Sequence, residues 1–344
     1  MKIRFARGVL REKEGIMRIG LIDVDSHNFP NLPLMKISAY HKSIGDSVEW
    51  YEPLIHSLGE PLDKVYMSKV FSDEYTPDYP YYVNAKEIIK GGTGYSMKIV
   101  NEKEQFDIES HNNLPNEIEH IYPDYSLYPQ YTKDTAYGFL TRGCCNNCSF
   151  CIVSKKEGIC SHKVADLSEF WNGQKNIKLL DPNLLACKEH LDLLQQLVDS
   201  KAVVDFTQGL DARFLNEKNI ELLKQIRIKM IHFAFDFMKF EKQIVKGLTL
   251  AKEQLNISDR KAVVYMLTNY DTTIEEDIYR INKIRELGYM PDVRIYRKES
   301  LPKRHILRDL QRWCNNRFIF RSCDFIDYVP RKDGMTIKEI YKLH

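Results

Sequence analysis

The sequence predicts an α/β protein made of two parts, each built around a parallel sheet. Short apolar runs alternate with amphipathic helical stretches along most of the chain, and strands that alternate with helices form parallel sheets. A tyrosine-rich stretch between Tyr122 and Tyr131 interrupts this alternation. Because 344 residues suffice for about two domains, we expect a domain over 1–135, a second over 136–300 and a helical extension over 301–344.

The sequence pattern of the first part predicts a doubly wound sheet. In such sheets, ligands bind beyond the carboxyl ends of the strands. A loop follows the first strand and leads into a helix, where Ile37, Tyr40 and Ile44 fall on one face. Gly45 is positioned to end this helix. The predicted strands are 16–24, 48–51 and 64–71.

In the second part, strand and helix alternate about six times. The best-formed helix, 273–287, has four isoleucines on one face, a capping box that begins at Thr272 or Thr273, and Gly288 as its stop. In folds built from such units, the chemistry lies on loops at the carboxyl ends of the strands. The predicted strands are Ala136–Arg142, Ile177–Leu180, Val203–Thr207, Met230–Phe235, Ala262–Leu267 and Val293–Tyr296.

Composition and cysteine usage indicate the cellular compartment of the protein but say less about its ligand. The net charge is +2 with 28% charged residues, so the chain lacks the overall charge of a polyanion-binding protein. The N-terminal residues lack the apolar run of a signal peptide, and no stretch reaches the length of a membrane span. Four of the eight cysteines lie within 144–151, which suits a metal site in a reducing compartment better than a disulfide framework. We therefore expect a cytoplasmic protein.

The densest chemical signal is the stretch 141–151, which reads Thr-Arg-Gly-Cys-Cys-Asn-Asn-Cys-Ser-Phe-Cys. Cys144, Cys148 and Cys151 have the spacing Cys-x-x-x-Cys-x-x-Cys, and Phe150 precedes the last of them. Thiolates are soft ligands that suit iron–sulfur clusters and zinc. Three such ligands within eight residues can surround only one compact centre, so the sequence predicts a metal site here.

Two other centres could use the same stretch. Cys160 or His162 would complete a structural zinc site, and Cys145 would allow a run similar to part of a ferredoxin motif. A structural zinc site usually pairs two knuckles of two ligands each, and the chain has no Cys-x-x-Cys pair outside this stretch. The spacing therefore favours an iron–sulfur centre over zinc.

The cysteine array, its aromatic residue and the strand-like run before it resemble the radical S-adenosylmethionine (radical SAM) superfamily. The resemblance implies that the second domain is a partial (β/α)6 barrel of the TIM type. It implies a [4Fe-4S] cluster on the three cysteines, with the fourth iron open to the amino and carboxylate groups of SAM. It also implies an electron donor such as flavodoxin or ferredoxin, reductive cleavage of SAM, and hydrogen abstraction by a 5′-deoxyadenosyl radical.

The resemblance assigns SAM contacts to residues at the strand ends. Asp181-Pro-Asn183 follows the second strand, where many members of the superfamily carry a Gly-Gly-Glu that binds the SAM amino group. Asp181 or Asn183 would replace that contact here. Phe150, beside the last cysteine, belongs to the same cofactor site.

Further SAM contacts are expected after the third and fifth strands. Arg213 would bind the SAM carboxylate through its two-pronged guanidinium, and Gln208 and Asp211 would reach the ribose hydroxyls. The stretch that contains Asn269 resembles the turn beside the adenine. The alternatives are a buried Asp211–Arg213 ion pair and ordinary helix caps.

A second resemblance concerns the first domain. Asp25-Ser-His27 follows the first strand, Ser68-Lys-Val70 lies in the third, and Gly91-Gly92 comes later. These stretches resemble, in the same order, the Asp-x-His-x-x-Gly, Ser-x-Leu and Gly-Gly elements of the cobalamin-binding domain. Pro30 stands where that family has glycine, and Val70 where it has leucine.

The second resemblance implies that His27 ligates cobalt, that Asp25 orients it, and that Gly91 and Gly92 make room for the nucleotide tail of cobalamin. Because Pro30 and the short spacings narrow the tail channel, we expect weak or absent binding and a domain that is kept as a lid over the barrel. The alternative is a vestigial sheet in which Asp25 and His27 only cap a helix.

The C-terminal region is predicted to be one long basic helix. Nine basic and two acidic residues between 294 and 321 give a net charge of +7, and Arg304, Arg308 and Arg312 would share a helical face. With interleaved aromatic residues this region could bind RNA or a phosphorylated substrate. We favour a solvated helix that closes the barrel, because charge runs on helices are usually solvated faces.

These features predict a radical SAM enzyme that modifies an unidentified substrate, by methyl transfer if cobalamin binds and otherwise by methylthio transfer or another modification. The opposing hypothesis is a non-catalytic zinc or iron–sulfur protein that acts through partners. That protein would hold metal without cleaving SAM.

Overall fold

The computed structural model describes three ranges of the chain, and the predicted cobalt ligand His27 lies outside them. The chain forms two compact units that divide between Lys133 and Asp134. Both units contain helices and parallel sheets, which confirms the mixed α/β class. Within the described ranges, no helix combines the length and the apolar character that a membrane span requires. The described ranges are 15–26, 28–100 and 103–342.

The first unit contains a parallel sheet made of β1 (Arg18–Asp23), β2 (Ser47–Trp50), β3 (Leu62–Ser68) and β4 (Ala85–Gly91). The strands pair in the order β2-β1-β3-β4. Since β1 lies between β2 and β3, the order reverses there and creates a switch point at the carboxyl ends of β1 and β3, where doubly wound sheets bind ligands.

Apolar residues bury both faces of this sheet. On one face, Leu34 and Ile37 of helix α1 (Leu32–Ser43) pack with apolar residues of β1. Asn31 caps this helix by accepting a hydrogen bond from the backbone N of Leu34, at 3.2 Å. The capping role therefore belongs to Asn31, and the alternative in which Asp25 caps the helix is wrong.

The rest of the first unit consists of short elements that sequence periodicity does not reveal. β5 and β6 form an antiparallel hairpin. Tyr79, Val83 and Tyr95 pack against the second face of the sheet from loops. The short elements are α2 (Pro53–His56), β5 (Met97–Val100), β6 (Lys103–Phe106), α3 (Asn116–Glu119) and α4 (Pro129–Thr132).

The second unit contains eight described strands, which are β7 (Thr135–Gly138), β8 (Thr141–Arg142), β9 (His162–Lys163), β10 (Asn176–Leu179), β11 (Val203–Phe206), β12 (Arg227–Ala234), β13 (Ala262–Thr268) and β14 (Met290–Ile295). Six form a parallel sheet in the order β7-β10-β11-β12-β13-β14. Each strand of this sheet after β7 therefore pairs with the sheet strand that precedes it in the sequence. β8 and β9 form a separate antiparallel pair.

The helices of this unit are amphipathic and follow the strands. In α9, Ile281 and Ile284 are buried, and Thr273 forms the capping box with Glu276. Thr272 instead donates a hydrogen bond to Asp277. The helices are α5 (Val153–Glu157), α6 (His190–Ser200), α7 (Glu217–Gln225), α8 (Glu241–Leu255), α9 (Ile274–Glu286), α10 (Ile306–Asn315), α11 (Arg317–Ser322) and α12 (Ile337–Tyr341).

The C-terminal region differs from the single helix that the sequence predicts. Asn316 accepts hydrogen bonds from the backbone of the next turn and begins α11, so the helix is broken at this point. Arg304 precedes α10, which means that the predicted stripe with Arg308 and Arg312 does not form. The Arg308 and Arg312 guanidinium groups donate to backbone carbonyls of the chain itself. Contact with RNA stays a prediction.

Candidate functional site

The three predicted cysteine ligands lie in a loop that β8 and β9 close at its base. Gly143 begins the loop with a φ of 78°. A Cβ atom at this position would lie 2.3 Å from the carbonyl oxygen of Cys160. Because only glycine tolerates both the positive φ and the close approach, Gly143 lets the two sides of the loop meet just before Cys144.

Asp181 holds the chain segment that leads into this loop. Its carboxylate accepts hydrogen bonds from the backbone N of Leu140, at 3.1 Å, and from the backbone N and Oγ1 of Thr141, at 2.6 and 2.7 Å. Burial raises the pKa of Asp181 to about 6, although the three hydrogen bonds oppose this shift. These bonds explain why the predicted strand 136–142 is divided, since they bind backbone groups that a continuing ladder would use.

The thiols of Cys144, Cys148 and Cys151 are half-buried and form no disulfide. The pKa of Cys148 is raised to about 11. Burial is the largest cause, and the negative charges of Cys151 and nearby acidic groups add to it. Burial also raises the pKa of Cys151. A metal must displace these protons, because only the thiolate ligates, so binding to this loop would release protons and depend on pH.

The described residues contain no group of three or more His, Cys, Asp or Glu side chains arranged to hold a metal ion. A single zinc ion needs its ligands to converge within about 2.3 Å of one point. In a cluster, each cysteine ligates a different iron, so the sulfurs need not converge on a single ion.

A cleft opens beside the cysteine loop. Its polar lining comes from the cysteine loop and from the loops after β10, β11 and β12, all at the carboxyl ends of parallel strands. Its apolar lining includes Phe237 and Phe240. The predicted site residues that the structure brings together in the cleft are Cys148, Asn183, Gln208, Asp211 and Arg213.

Arg213 and Asp211 form a two-pronged ion pair at the edge of the cleft. Arg213 donates from Nε to Asp211 Oδ1, at 2.9 Å, and from Nη2 to Oδ2, at 2.6 Å. Its guanidinium also stacks over the Phe240 ring, 4.3 Å from the centroid. Burial would raise the pKa of Asp211, but hydrogen bonds from Arg213 and Asn146 outweigh it and lower the pKa.

Among the predicted SAM-contact residues, all of which the structure describes, Asn183 alone has a buried polar atom without a hydrogen-bond partner. Its side chain is 2% exposed, and its Nδ2 donates weakly to Cys144 Sγ and to Asp211 Oδ2, both at 3.5 Å. Its Oδ1 is buried without a hydrogen-bond partner. Since a buried acceptor without a partner costs about 1–3 kcal/mol, this oxygen favours a ligand that donates a hydrogen bond.

Asp236, which also lines the cleft, is held by a buried arginine behind the sheet. Arg280 of α9 donates to the carbonyl oxygens of Phe235, Asp236 and Leu267 at the ends of β12 and β13. The Asp236 carboxylate accepts from the backbone N of Leu267, at 2.8 Å. Burial raises the pKa of Asp236.

Aromatic rings connect the cysteine loop to the loops that follow β12 and β13. Phe150 stacks on Phe237, with centroids 5.8 Å apart, and meets Tyr270 edge to face at 5.1 Å. Asn269 adopts a φ of 62° and donates to the carbonyl oxygen of Tyr296, at 2.8 Å. Phe150 and Asn269 thus organise the neighbouring loops and lie outside the lining of the cleft.

The sheet face that turns toward the cleft carries a stacked histidine. Ala234 lines the cleft, and His232 shares its face because side chains of a strand alternate. His232 donates from Nδ1 to the carbonyl oxygen of Phe206, at 2.9 Å, so Nε2 is the acceptor of the neutral ring. The His232 and Tyr265 rings are parallel, with centroids 4.9 Å apart.

In the first unit, the switch point is bridged by Asp25. Its two carboxylate oxygens accept from the backbone N atoms of Val70 and Phe71, both at 2.8 Å, across the gap between β1 and β3. Asp25 therefore ties the two strand ends together, and its predicted role in orienting His27 stays a prediction.

Glycines near the end of β4 make room for the chain itself. A Cβ atom on Gly92 would lie 2.3 Å from the carbonyl oxygen of Lys69, and one on Gly91 would meet nothing closer than 3.8 Å. The described residues therefore do not fit a cobalamin tail channel. Weak or absent cobalamin binding, and the lid role, stay predictions.

No protein-family model matches the chain, and no curated protein matches its sequence. Its fold is similar to that of a radical S-adenosylmethionine methyltransferase. That solved structure is TsrM from Kitasatospora setae, with tryptophan substrate and the SAM analogue aza-SAM bound. The TM-score is 0.57 at 10% sequence identity, and the match covers 80% of this chain and 72% of that chain. The chain therefore has a fold like that of a radical SAM enzyme.

Sequence reasoning missed several residues at the cleft. Asn146 stands among the cysteines but has no motif of its own, and it contacts Asp211 and Arg213 only through the fold. Phe237 and Phe240 follow β12, and their position directly after a strand is the one signal that could have identified them.

Proposed function

We propose that the protein is a radical SAM enzyme that reductively cleaves SAM at a [4Fe-4S] cluster held by Cys144, Cys148 and Cys151. One observation carries this proposal. The buried, unpartnered Oδ1 of Asn183 lies beside Cys144, in a cleft at the carboxyl ends of parallel strands. The fold similarity to a radical SAM methyltransferase supports it.

The donor set fits the two cofactors. Three thiols are soft ligands for iron, and the Asn183 oxygen is an acceptor for the ammonium group of SAM. Asn183, not Asp181, is then the amino contact, because both Asp181 oxygens already accept hydrogen bonds from the chain.

When bound, the cluster would supply the electron that cleaves SAM. The residues of the chain bind SAM, orient it and exclude water. Phe237 and Phe240 give the cleft apolar walls, which strengthen the polar contacts inside it by lowering the local dielectric constant. Gln208, exposed at the cleft, offers an amide to the ribose hydroxyls.

The substrate would lie on the sheet face that turns toward the cleft. His232 presents Nε2 from this face, next to Tyr265, so a substrate with an N–H or O–H group would be recognised there. The solved structure of similar fold is a methyltransferase, so methyl transfer is the outcome if cobalamin binds, and methylthio transfer or another modification is the outcome if it does not. The substrate would have to be held against SAM, because a productive reaction needs contact between the reacting atoms.

Anaerobic reconstitution with iron and sulfide tests the proposal. The wild-type protein should hold about four irons per chain, absorb broadly in the visible region and form 5′-deoxyadenosine from SAM when reduced. Cys144→Ala, Cys148→Ala and Cys151→Ala should each lose the cluster and the product.

The matched control is Cys160→Ala, which removes an exposed thiol from the same loop. It should keep both the iron and the 5′-deoxyadenosine. Stoichiometric zinc without a recoverable cluster would favour the non-catalytic alternative, and an intact cluster that never cleaves SAM would contradict the enzymatic proposal.

A further inference from the structure

Asp211 joins three loops at the cleft through one carboxylate. Oδ1 accepts from the backbone N and Nε of Arg213. Oδ2 accepts from Arg213 Nη2, from Asn146 Nδ2 at 3.0 Å and from Asn183 Nδ2 at 3.5 Å. Arg213 Nη2 also donates to Asn146 Oδ1, at 2.5 Å. Asp211, Arg213 and Asn146 thus form a closed ring of hydrogen bonds.

This ring leaves Asp211 without room for another ligand. An ionised carboxylate offers about four acceptor positions, and five donors already approach it. The guanidinium of Arg213 likewise uses Nε and Nη2 on Asp211, which are two of the groups that would form a two-pronged contact with another carboxylate. In the structure, Asp211 and Arg213 bind each other. This pairing competes with the contacts that the sequence predicts, from Asp211 to the ribose and from Arg213 to the SAM carboxylate.

We infer that Asp211, Arg213 and Asn146 form a clamp that holds the cysteine loop against the loop after β11, with Asn146 as the positioning residue. Asn146 lies between Cys144 and Cys148, and its amide both donates to Asp211 and accepts from Arg213. The clamp ties the segment between two thiols to the loop after β11, whereas another side-chain contact of this segment, from Ser154 Oγ to Asn147 Oδ1, stays within the cysteine loop. Arg213 gains further rigidity from its stacking on Phe240.

The experiment measures thiol alkylation by iodoacetamide in the metal-free full-length chain, residue by residue, by mass spectrometry. Asn146→Ala removes both amide contacts without changing the charge of the protein, so a change in rate reports access more than thiol ionisation. Cys148, which is half-buried, should react roughly tenfold faster than in the wild type, the effect of losing about one charged hydrogen bond.

Two thiols act as internal references. Cys160 is exposed and should react at an unchanged rate. Cys314 is 0% exposed, so its rate reports global unfolding and should also be unchanged. Lys239→Ala is the matched control variant, because Lys239 lies over the same Phe240 ring at 4.9 Å but is not part of the ring of hydrogen bonds. It should leave all the rates unchanged.

Equal rates for Cys148 in Asn146→Ala and the wild type would overturn the clamp. If Cys314 also reacts faster in Asn146→Ala, the decision passes to Asp211→Asn, which keeps the side-chain shape and weakens the same ring. Faster alkylation of Cys148 with unchanged Cys314 in Asp211→Asn supports the clamp, and any other pattern rejects it.

The inference rests on the proposed function for its consequence, which is that the clamp retains the cluster. In reconstituted protein, Asn146→Ala should lose iron to a chelator faster than the wild type. If the wild type holds no cluster, the proposed function fails while the alkylation result still decides the clamp. If the wild type holds the cluster and Asn146→Ala reacts and retains iron like the wild type, only the clamp fails.

Discussion

The two units use the same device at a strand end, with different results. In each, an aspartate that follows a parallel strand accepts hydrogen bonds from backbone N–H groups at the end of a neighbouring strand. Asp25 does so in the first unit and Asp181 in the second. Both side chains are almost fully buried, so both anchor loops to their sheets.

The difference lies in the residues that follow each aspartate. After Asp25, the amide of Asn31 donates to Ser26 and to Ser68, at 3.0 and 2.9 Å, which links the polar groups at the switch point to one another. After Asp181, the Oδ1 of Asn183 has no partner. The two asparagines therefore differ: Asn31 is satisfied by its neighbours, whereas the unpartnered oxygen of Asn183 gives a ligand a group to bind at the proposed site.

Replacing Asp181 should have the largest effect. Asp181→Ala leaves the buried N–H groups of Leu140 and Thr141 without an acceptor, so the free energy of unfolding should fall by about 2–5 kcal/mol. Urea denaturation measures this loss. Iron content should fall as well, since the anchored segment leads into the cysteine loop. A loss below about 1 kcal/mol would show that water or another group replaces the carboxylate.

Asp25→Ala should destabilise the first unit by about 1–3 kcal/mol, because the partly buried backbone N–H groups of Val70 and Phe71 lose their acceptor. The iron content of reconstituted protein should stay at the wild-type value, in contrast to Asp181→Ala. Loss of iron in Asp25→Ala would show that the first unit contributes to the cluster site.

Asn183→Ala should weaken SAM binding by about tenfold, the effect of one hydrogen bond to a charged group. Equilibrium binding of SAM to the reconstituted protein measures it. Asn183→Asp is the matched variant, since it keeps an acceptor oxygen and should bind more tightly than Asn183→Ala. Equal affinity in the alanine variant and the wild type would remove Asn183 from the SAM site.

A smaller effect concerns pH. Burial raises the pKa of Asp181 to about 6, above the value of about 3.9 in an unfolded chain. Between these values the folded protein binds more protons than the unfolded one, so this group's contribution to stability is complete below about pH 4 and declines as pH rises to about 6. Melting temperatures from pH 4 to 7 should show this decline in the wild type, and Asp181→Asn should lack it. Parallel curves for the two proteins would contradict the raised pKa.

The smallest expected signal is that of cobalamin. Hydroxocobalamin added to reconstituted protein and removed by desalting should leave no stoichiometric corrin spectrum. The Asp25 carboxylate already accepts hydrogen bonds from the chain, and the Lys69 backbone fills the space beside Gly92 that the cobalamin family leaves for the nucleotide tail. A stoichiometric bound corrin whose spectrum changes in His27→Ala would overturn this expectation. It would mean that the first unit binds a cofactor, as is proposed for the second.

Local patterns predicted most of the fold and part of the site. The cysteine spacing lies within eight residues, and strand periodicity identified the loops of Asn183, Gln208 and Arg213, so no tertiary information was needed. The role of Asp181 could not be predicted, because it depends on which neighbouring strand its side chain faces. The fit of Gly92 against Lys69 likewise depends on two segments that are distant in sequence.

The chain-order pairing of the six-stranded sheet has a consequence for biogenesis. The N-terminal part of a chain emerges first from the ribosome, so β7 and the cysteine segment are made before their neighbours. Asn183 and Asp211 are synthesised later, each with a strand that extends the sheet from β7 outward. The nascent cysteines are therefore accessible to oxidants and to foreign metals until about seventy more residues have been added. If the proposed cluster binds, the residues that surround it are all present only after β11 and the loop that carries Asp211 have been translated.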